Sequence, residues 1–157
     1  MDKLLKLLDG NARLTDAQLA VMANCTEEEV RAQIAAWEAS GVIRGYKALI
    51  DWERTDREYV TALIDLRGTP ERDLGFEGIA EKVMQFDEVE SVYLMSGGYD
   101  LSVTVSGRTF QEVAMFVARR LSTLDAVIST ATHFVLRRYK DKGVLFAGEE
   151  KDGRGDL

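Results

Sequence analysis

The feature that most constrains this chain is a change of hydrophobic period between residues 40 and 59. Over residues 2–40 the apolar side chains recur at helical spacing, whereas from Tyr59 onward they alternate singly. Helical side chains align every three or four residues and strand side chains swap faces at each step, so the two patterns cannot share one element. The chain is therefore expected to have an all-helical first part and a sheet-bearing second part. Of its 157 residues 46% are apolar and 30% charged, enough to build a core and to exclude wholesale disorder.

In the first part, Leu4, Leu5, Leu7 and Leu8 make a stripe that stops at the turn signal Asp9-Gly10-Asn11. Thr15 opens a second helix, with Gln18 as its capping-box partner and Leu19, Ala20 and Ala23 on one face. Thr26 with Glu29 repeats the box and starts a third helix, whose apolar positions are Val30, Ile34 and Trp37 and which ends at Ser40-Gly41. Three short helices with a tight turn between the second and third are the helix-turn-helix pattern. Residues 41–51 are expected to form a turn and a strand, the wing or linker.

In the second part, Tyr59–Arg67 alternates with Val60, Ala62, Ile64 and Leu66 on one face. Phe76, Ile79, Ala80 and Val83 mark a helix. Val89–Ser96 and Tyr99–Ser106 are strands joined across the hairpin signal Gly97-Gly98. Thr109 with Glu112 caps a further helix bearing Phe110, Val113, Ala114, Val117 and Leu121, and Val127–Tyr139 reads as one last long strand. The order β-α-β-β-α-β is the ferredoxin-like split unit. Such a sheet has one face under helices and one bare, so dimerisation through the bare face or an edge is expected.

Helix-turn-helix, linker strand and split unit in this order resemble the Lrp/AsnC family of feast/famine transcription regulators. Four ordered motifs carry the resemblance: Asn11-Ala12-Arg13-Leu14-Thr15; Trp37 through Tyr46; Ser96-Gly97-Gly98-Tyr99-Asp100-Leu101; and the threonine-rich strand Val127–Leu136 with Thr130 and Thr132. They imply an α+β fold: a winged helix-turn-helix domain over residues 1–51 and a ferredoxin-like (RAM-type) effector-binding and oligomerisation domain over 52–146. A small, charged tail, 147–157, is expected to be disordered, its Arg154-Gly155-Asp156 adhesion triplet a coincidence. The implied partners are double-stranded DNA, a small effector such as an amino acid, and further copies of the chain as a homodimer, tetramer or octamer. No cofactor or metal is expected.

For DNA, the candidates are Arg13, Thr26, Arg31, Gln33, Arg44 and Lys47. Arg31 would meet a guanine edge or a phosphate, Gln33 a phosphate, and the loop and wing cations Arg13, Arg44 and Lys47 the backbone. Each is also what an ordinary solvated surface carries. Two departures from the family pattern weigh against tight binding. Gln33 stands where an arginine is usual, and the recognition helix opens with Glu27-Glu28-Glu29. Those acids favour the helix dipole by about 0.3–1 kcal/mol each but repel phosphate. Residues 1–51 hold six Lys/Arg against eight Asp/Glu, and the whole chain carries a net charge of −7, so a non-specific nucleic-acid or anionic-membrane coat is unlike it.

For the effector, the candidates are Ser96, Gly97, Gly98, Tyr99, Asp100 and Leu101 with Thr130 and Thr132. Glycine backbone can meet a carboxylate, Asp100 an ammonium, and threonine hydroxyls either. The competing account is a plain tight turn capped by Asp100. Two rival functions remain: a sirohaem-decarboxylase-like enzyme, for which His133 would be the sole histidine, and a DNA-incompetent effector-binding partner of another regulator. Lone Cys25 excludes an internal disulfide and fits a small thiol buried at the turn. The cluster Arg137-Arg138-Tyr139-Lys140 reads as a snorkelling strand end rather than a DNA contact. Short apolar pairs broken by charge make the opening residues neither a signal nor a transit peptide, and a cytoplasmic protein is expected.

Overall fold

The computed structural model describes residues 2–147, and the chain divides after Leu49 into two compact units. The expected tail therefore lies, from residue 148 on, outside the described residues.

The first unit holds three helices, α1 (Asp2–Gly10), α2 (Asp16–Ala23) and α3 (Glu27–Ser40). Both capping boxes form. The Thr15 hydroxyl accepts from the Gln18 N–H while the Gln18 side chain accepts from the Thr15 N–H, and Thr26 and Glu29 repeat the exchange. Asn24 (φ 57°) stops α2 and Gly41 (φ 75°) stops α3, both in the left-handed conformation that ends a helix. Leu4, Leu8, Leu19, Ala20 and Val30 form the core, flanked by Ile34, Trp37, Cys25 and Ile43.

The expected strand over 41–51 is not found. Ile43 folds back, its N–H donating to the Trp37 carbonyl at 3.1 Å, and the Tyr46 hydroxyl donates to Glu38 Oε1 at 2.9 Å. Among the described residues no second strand pairs with this segment, and an unpaired ladder is not a strand. A single 3₁₀ turn, Trp52–Arg54, follows.

The second unit contains β1 (Val60–Gly68), α4 (Glu77–Met84), β2 (Val89–Leu94), β3 (Leu101–Gly107), α5 (Phe110–Phe116) and β4 (Val127–Phe134). The four strands make an antiparallel sheet in the order β2-β3-β1-β4. Ala62, Ile64, Leu66, Leu101, Val103 and Val105 point from the sheet into a core closed by Ile79 and Val83 of α4 and Val113 and Phe116 of α5. Alternation leaves Leu63, Asp65 and Arg67 of β1 on the bare face, beside Ser102 and Thr104 of β3 and Ala131 and His133 of β4.

Two details differ from expectation. α5 runs on through a π-helical stretch, Val117–Leu121, which keeps Val117 and Leu121 in the core. The last strand ends at Phe134 rather than Tyr139. Beyond it a separate small hairpin pairs β5 (Lys140–Asp141) with β6 (Val144–Leu145) through Lys142 and Gly143, both at positive φ. The partner strand explains the break: Phe134 pairs with Ala62, the Val135 N–H donates to the Thr61 carbonyl at 2.9 Å, and β1 begins at Val60. Beyond it the Arg138 guanidinium stacks 3.6 Å above the Phe146 ring and donates to the Ile50 carbonyl and to Asp141.

Candidate functional site

α3 buries Val30 and half-buries Gln33, Ile34 and Trp37; at about 100° per residue the opposite, exposed face holds Glu28, Ala32, Ala35 and Ala39. Arg31 flanks that face and is the only basic residue of the helix. Its Nε lies 3.9 Å from Asp16 Oδ2 at the start of α2, and its Nη2 lies 3.8 Å from Glu27 Oε2 one turn back. Arg13, Arg44 and Lys47 are also exposed. The turn before α2 presents Arg13, whose N–H donates to Asn11 Oδ1 at 3.0 Å. The Arg44 guanidinium folds over Gly41, close to where a β-carbon would stand there. One sequence candidate, Thr26, is otherwise engaged. The Thr26 hydroxyl belongs to the capping box, and Gln33 sits beside the buried stripe.

At the hairpin, Gly97 (φ 132°) takes a conformation closed to other residues. The turn is riveted to the end of β1. Arg67 donates to the Gly98 carbonyl from Nη2 at 2.6 Å and from Nε at 3.2 Å, with its guanidinium 5.2 Å from the Tyr99 ring centre. The Gly68 N–H donates to Asp100 Oδ2 at 3.0 Å, and the Asp100 N–H donates to the Leu66 carbonyl at 2.9 Å. One Asp100 oxygen is thus spent on backbone, leaving Oδ1 for a ligand. Leu101 must be corrected: it is 1% exposed, a core residue whose side chain cannot line a site.

Leu66 pairs with Leu101 on one side and with Thr130 on the other. The hairpin base and the threonine strand therefore stand level, two strand spacings or about 10 Å apart. Thr130 and Thr132 share the helix-covered face; Thr130 Oγ1 lies 3.2 Å from Ser122 Oγ, while Thr132 is exposed. The sequence reading missed Arg67, which pins the turn from 31 residues away. Its one signal is a charge closing an otherwise regular alternation. At the opposite end of β3, an open depression of about 240 Å³ lies between Glu88, Met115, Phe116, Arg119 and Arg120. Arg120 is tied there to Glu88 at 2.8 Å.

Residues 61–145 match the profile of the Lrp/AsnC ligand binding domain. Over 153 residues the chain is 47% identical to the uncharacterized HTH-type transcriptional regulator YugG of Bacillus subtilis, covering 97% of this chain and 92% of that one. This chain belongs to the Lrp/AsnC family.

Solved structures show the same Lrp/AsnC fold. A transcriptional regulator of Neisseria meningitidis, in complex with L-methionine, superposes with a TM-score of 0.73 at 24% identity, over 88% of this chain and 89% of that one. A feast or famine regulatory protein of Mycobacterium tuberculosis complexed with L-methionine gives a TM-score of 0.75 at 21% identity, over 89% and 92%. The chain is an Lrp/AsnC-type transcriptional regulator. No helix among the described residues is long and apolar enough to cross a membrane.

Proposed function

We propose that the first unit binds duplex DNA and that the second binds a small effector, an amino acid being the class favoured by the L-methionine complexes of two structural neighbours. The observation that carries the DNA reading is the display of four exposed cations, Arg13, Arg31, Arg44 and Lys47, on a helix-turn-helix unit. Arg31 is the candidate for bases and the other three for phosphates, which supply most of the affinity. Thr26 contributes by capping α3, and Gln33, half-exposed, is a secondary phosphate candidate.

The effector would sit at the turn Ser96–Asp100. Arg67 and the Gly97-Gly98 backbone suit its carboxylate, Asp100 Oδ1 its ammonium, and Tyr99 its side chain, whereas Thr130 and Thr132, on the opposite face of the sheet from Arg67, would meet an effector only from that other side. Its binding and DNA affinity would be linked reciprocally through the assembled oligomer, beginning with a dimer closed over the bare sheet face.

The test is capture of fragmented genomic DNA from the source organism at about 100 mM salt, where phosphate contacts still register. Enrichment of a few intergenic fragments, lost in an Arg13→Ala, Arg44→Ala, Lys47→Ala variant, is the expected result. Equal recovery by protein and variant would overturn the DNA reading, leaving an effector-binding partner of another regulator.

A further inference from the structure

We infer that Asp16 and Glu27 aim Arg31, and that Asp16 is thereby a positioning residue for base discrimination by α3; this rests on the DNA-binding reading above. The outward face of α3 carries Glu28, Ala32, Ala35 and Ala39, none of which has a side-chain hydrogen-bond donor. Gln33, the other donor of the helix middle, is half-buried beside Ile34. Reading a guanine edge, which presents two acceptors in the major groove, therefore falls to Arg31.

A free arginine on a long stem serves any nearby phosphate equally well and carries no sequence information. Arg31 is not free. Two carboxylates from different elements face two of its nitrogens, Asp16 at Nε from the first turn of α2 and Glu27 at Nη2 from its own helix. Spacings of 3.9 and 3.8 Å are ion-pair rather than hydrogen-bond distances, so the guanidinium is steered without being consumed. Of its five N–H groups, those on Nη1 and the second on Nη2 remain to meet a base. Asp16 matters more than Glu27 because it reaches Arg31 from α2, fixing the direction of the fork relative to the helix-turn-helix frame. The same carboxylates repel phosphate, so they lower affinity for every sequence while holding Arg31 back from the backbone. An acidic recognition helix then becomes a device for discrimination rather than a lost DNA site.

The experiment is selection from a randomised duplex library by the full-length wild type, Asp16→Asn, Glu27→Gln and Arg31→Lys, followed by affinity measurement on the selected duplex and on a scrambled one. Wild type should select a guanine at one position of each half-site, and Arg31→Lys, which offers a point charge in place of the planar fork, should weaken that preference. Asp16→Asn should bind the scrambled duplex more tightly, yet its ratio of selected to scrambled affinity should fall by up to about fivefold, the most that an exposed ion pair contributes. Glu27→Gln should fall less. In an Arg31→Lys background Asp16→Asn should leave the ratio unchanged. Removing a charge that acts only through general repulsion raises both affinities alike, and an unchanged ratio in Asp16→Asn overturns the inference while leaving DNA binding intact. If wild type enriches no sequence at all, the DNA-binding reading itself fails. Circular dichroism of each variant checks that α2, whose cap Thr15 is untouched, still forms.

Discussion

A methyl group at residue 68 would sit 2.5 Å from Ile79 Cδ1 and 3.1 Å from the Ala126 carbonyl oxygen. The isoleucine can rotate away. The carbonyl cannot, since it accepts the Thr69 N–H at 2.8 Å, and the β1–β4 register already shifts at Arg67/Gly68. Gly68→Ala should therefore destabilise the second unit by about 1–3 kcal/mol, the usual cost of overpacking, read as a lower urea midpoint. It should also loosen the hairpin, because the Gly68 N–H is the donor held by Asp100. A midpoint equal to wild type would show that the shifted register absorbs the methyl. Tyr59 gives a second handle. Burial first, and then its hydrogen bond to Glu90, push the phenol above its ordinary pKa of 10.0. A folded pKa above the unfolded one means that this contribution is intact below pH 10 and is lost as pH rises through the folded value. The stability gap between wild type and Tyr59→Phe should therefore shrink above pH 10 in urea titrations. A gap constant across pH 10 would show that the phenol's proton is not linked to folding.

At the scale of elements, what was legible in the sequence was whatever local chemistry decides. The boxes Thr15–Gln18 and Thr26–Glu29 fix the starts of α2 and α3 from four residues each, and alternation fixes the buried set of β1. The failures share a cause. A strand over 41–51 needs a partner ladder, and period alone cannot say whether one exists; β4 likewise ends where its partner β1 runs out at Val60, which nothing in residues 127–139 signals. The π-helical continuation of α5 keeps the same apolar residues inward, so the helical stripe was visible while its winding was not. The candidate sites divide likewise. Gly97, Gly98 and Asp100 announce a hairpin and Thr26 with Glu29 a cap, but Arg67 on the hairpin and the burial of Leu101 are outcomes of packing. Asp16 beside Arg31 joins residues of two helices, and nothing local in either segment signals that pair.

For the whole molecule, the sheet poses the remaining question. One face is covered by α4 and α5; the other exposes Leu63 (44%) and Tyr93 (53%) among serine and threonine hydroxyls, with His133 Nε2 3.0 Å from Asp65 Oδ2. The sheet also has two open edges, β2 with Leu94 and β4 with Ile128, both exposed. A second copy could therefore close over the face or extend an edge. The face is the better candidate. Leu63 lies on central β1 and Tyr93 on edge strand β2, so a copy seated over both removes apolar surface from water, and the Asp65 carboxylate beside them is already partnered by His133. Light scattering after gel filtration should show at least a dimer for wild type and a monomer for Leu63→Lys, with Ile128→Lys keeping the wild-type mass. The inverse pattern would move the interface to the β4 edge. Loss of assembly in Leu63→Lys should also weaken DNA capture, because one helix-turn-helix unit contacts one half-site and a dimer holds two at fixed spacing. A monomer that captured DNA as well as wild type would separate assembly from recognition, and the effector would then have to act within a single chain.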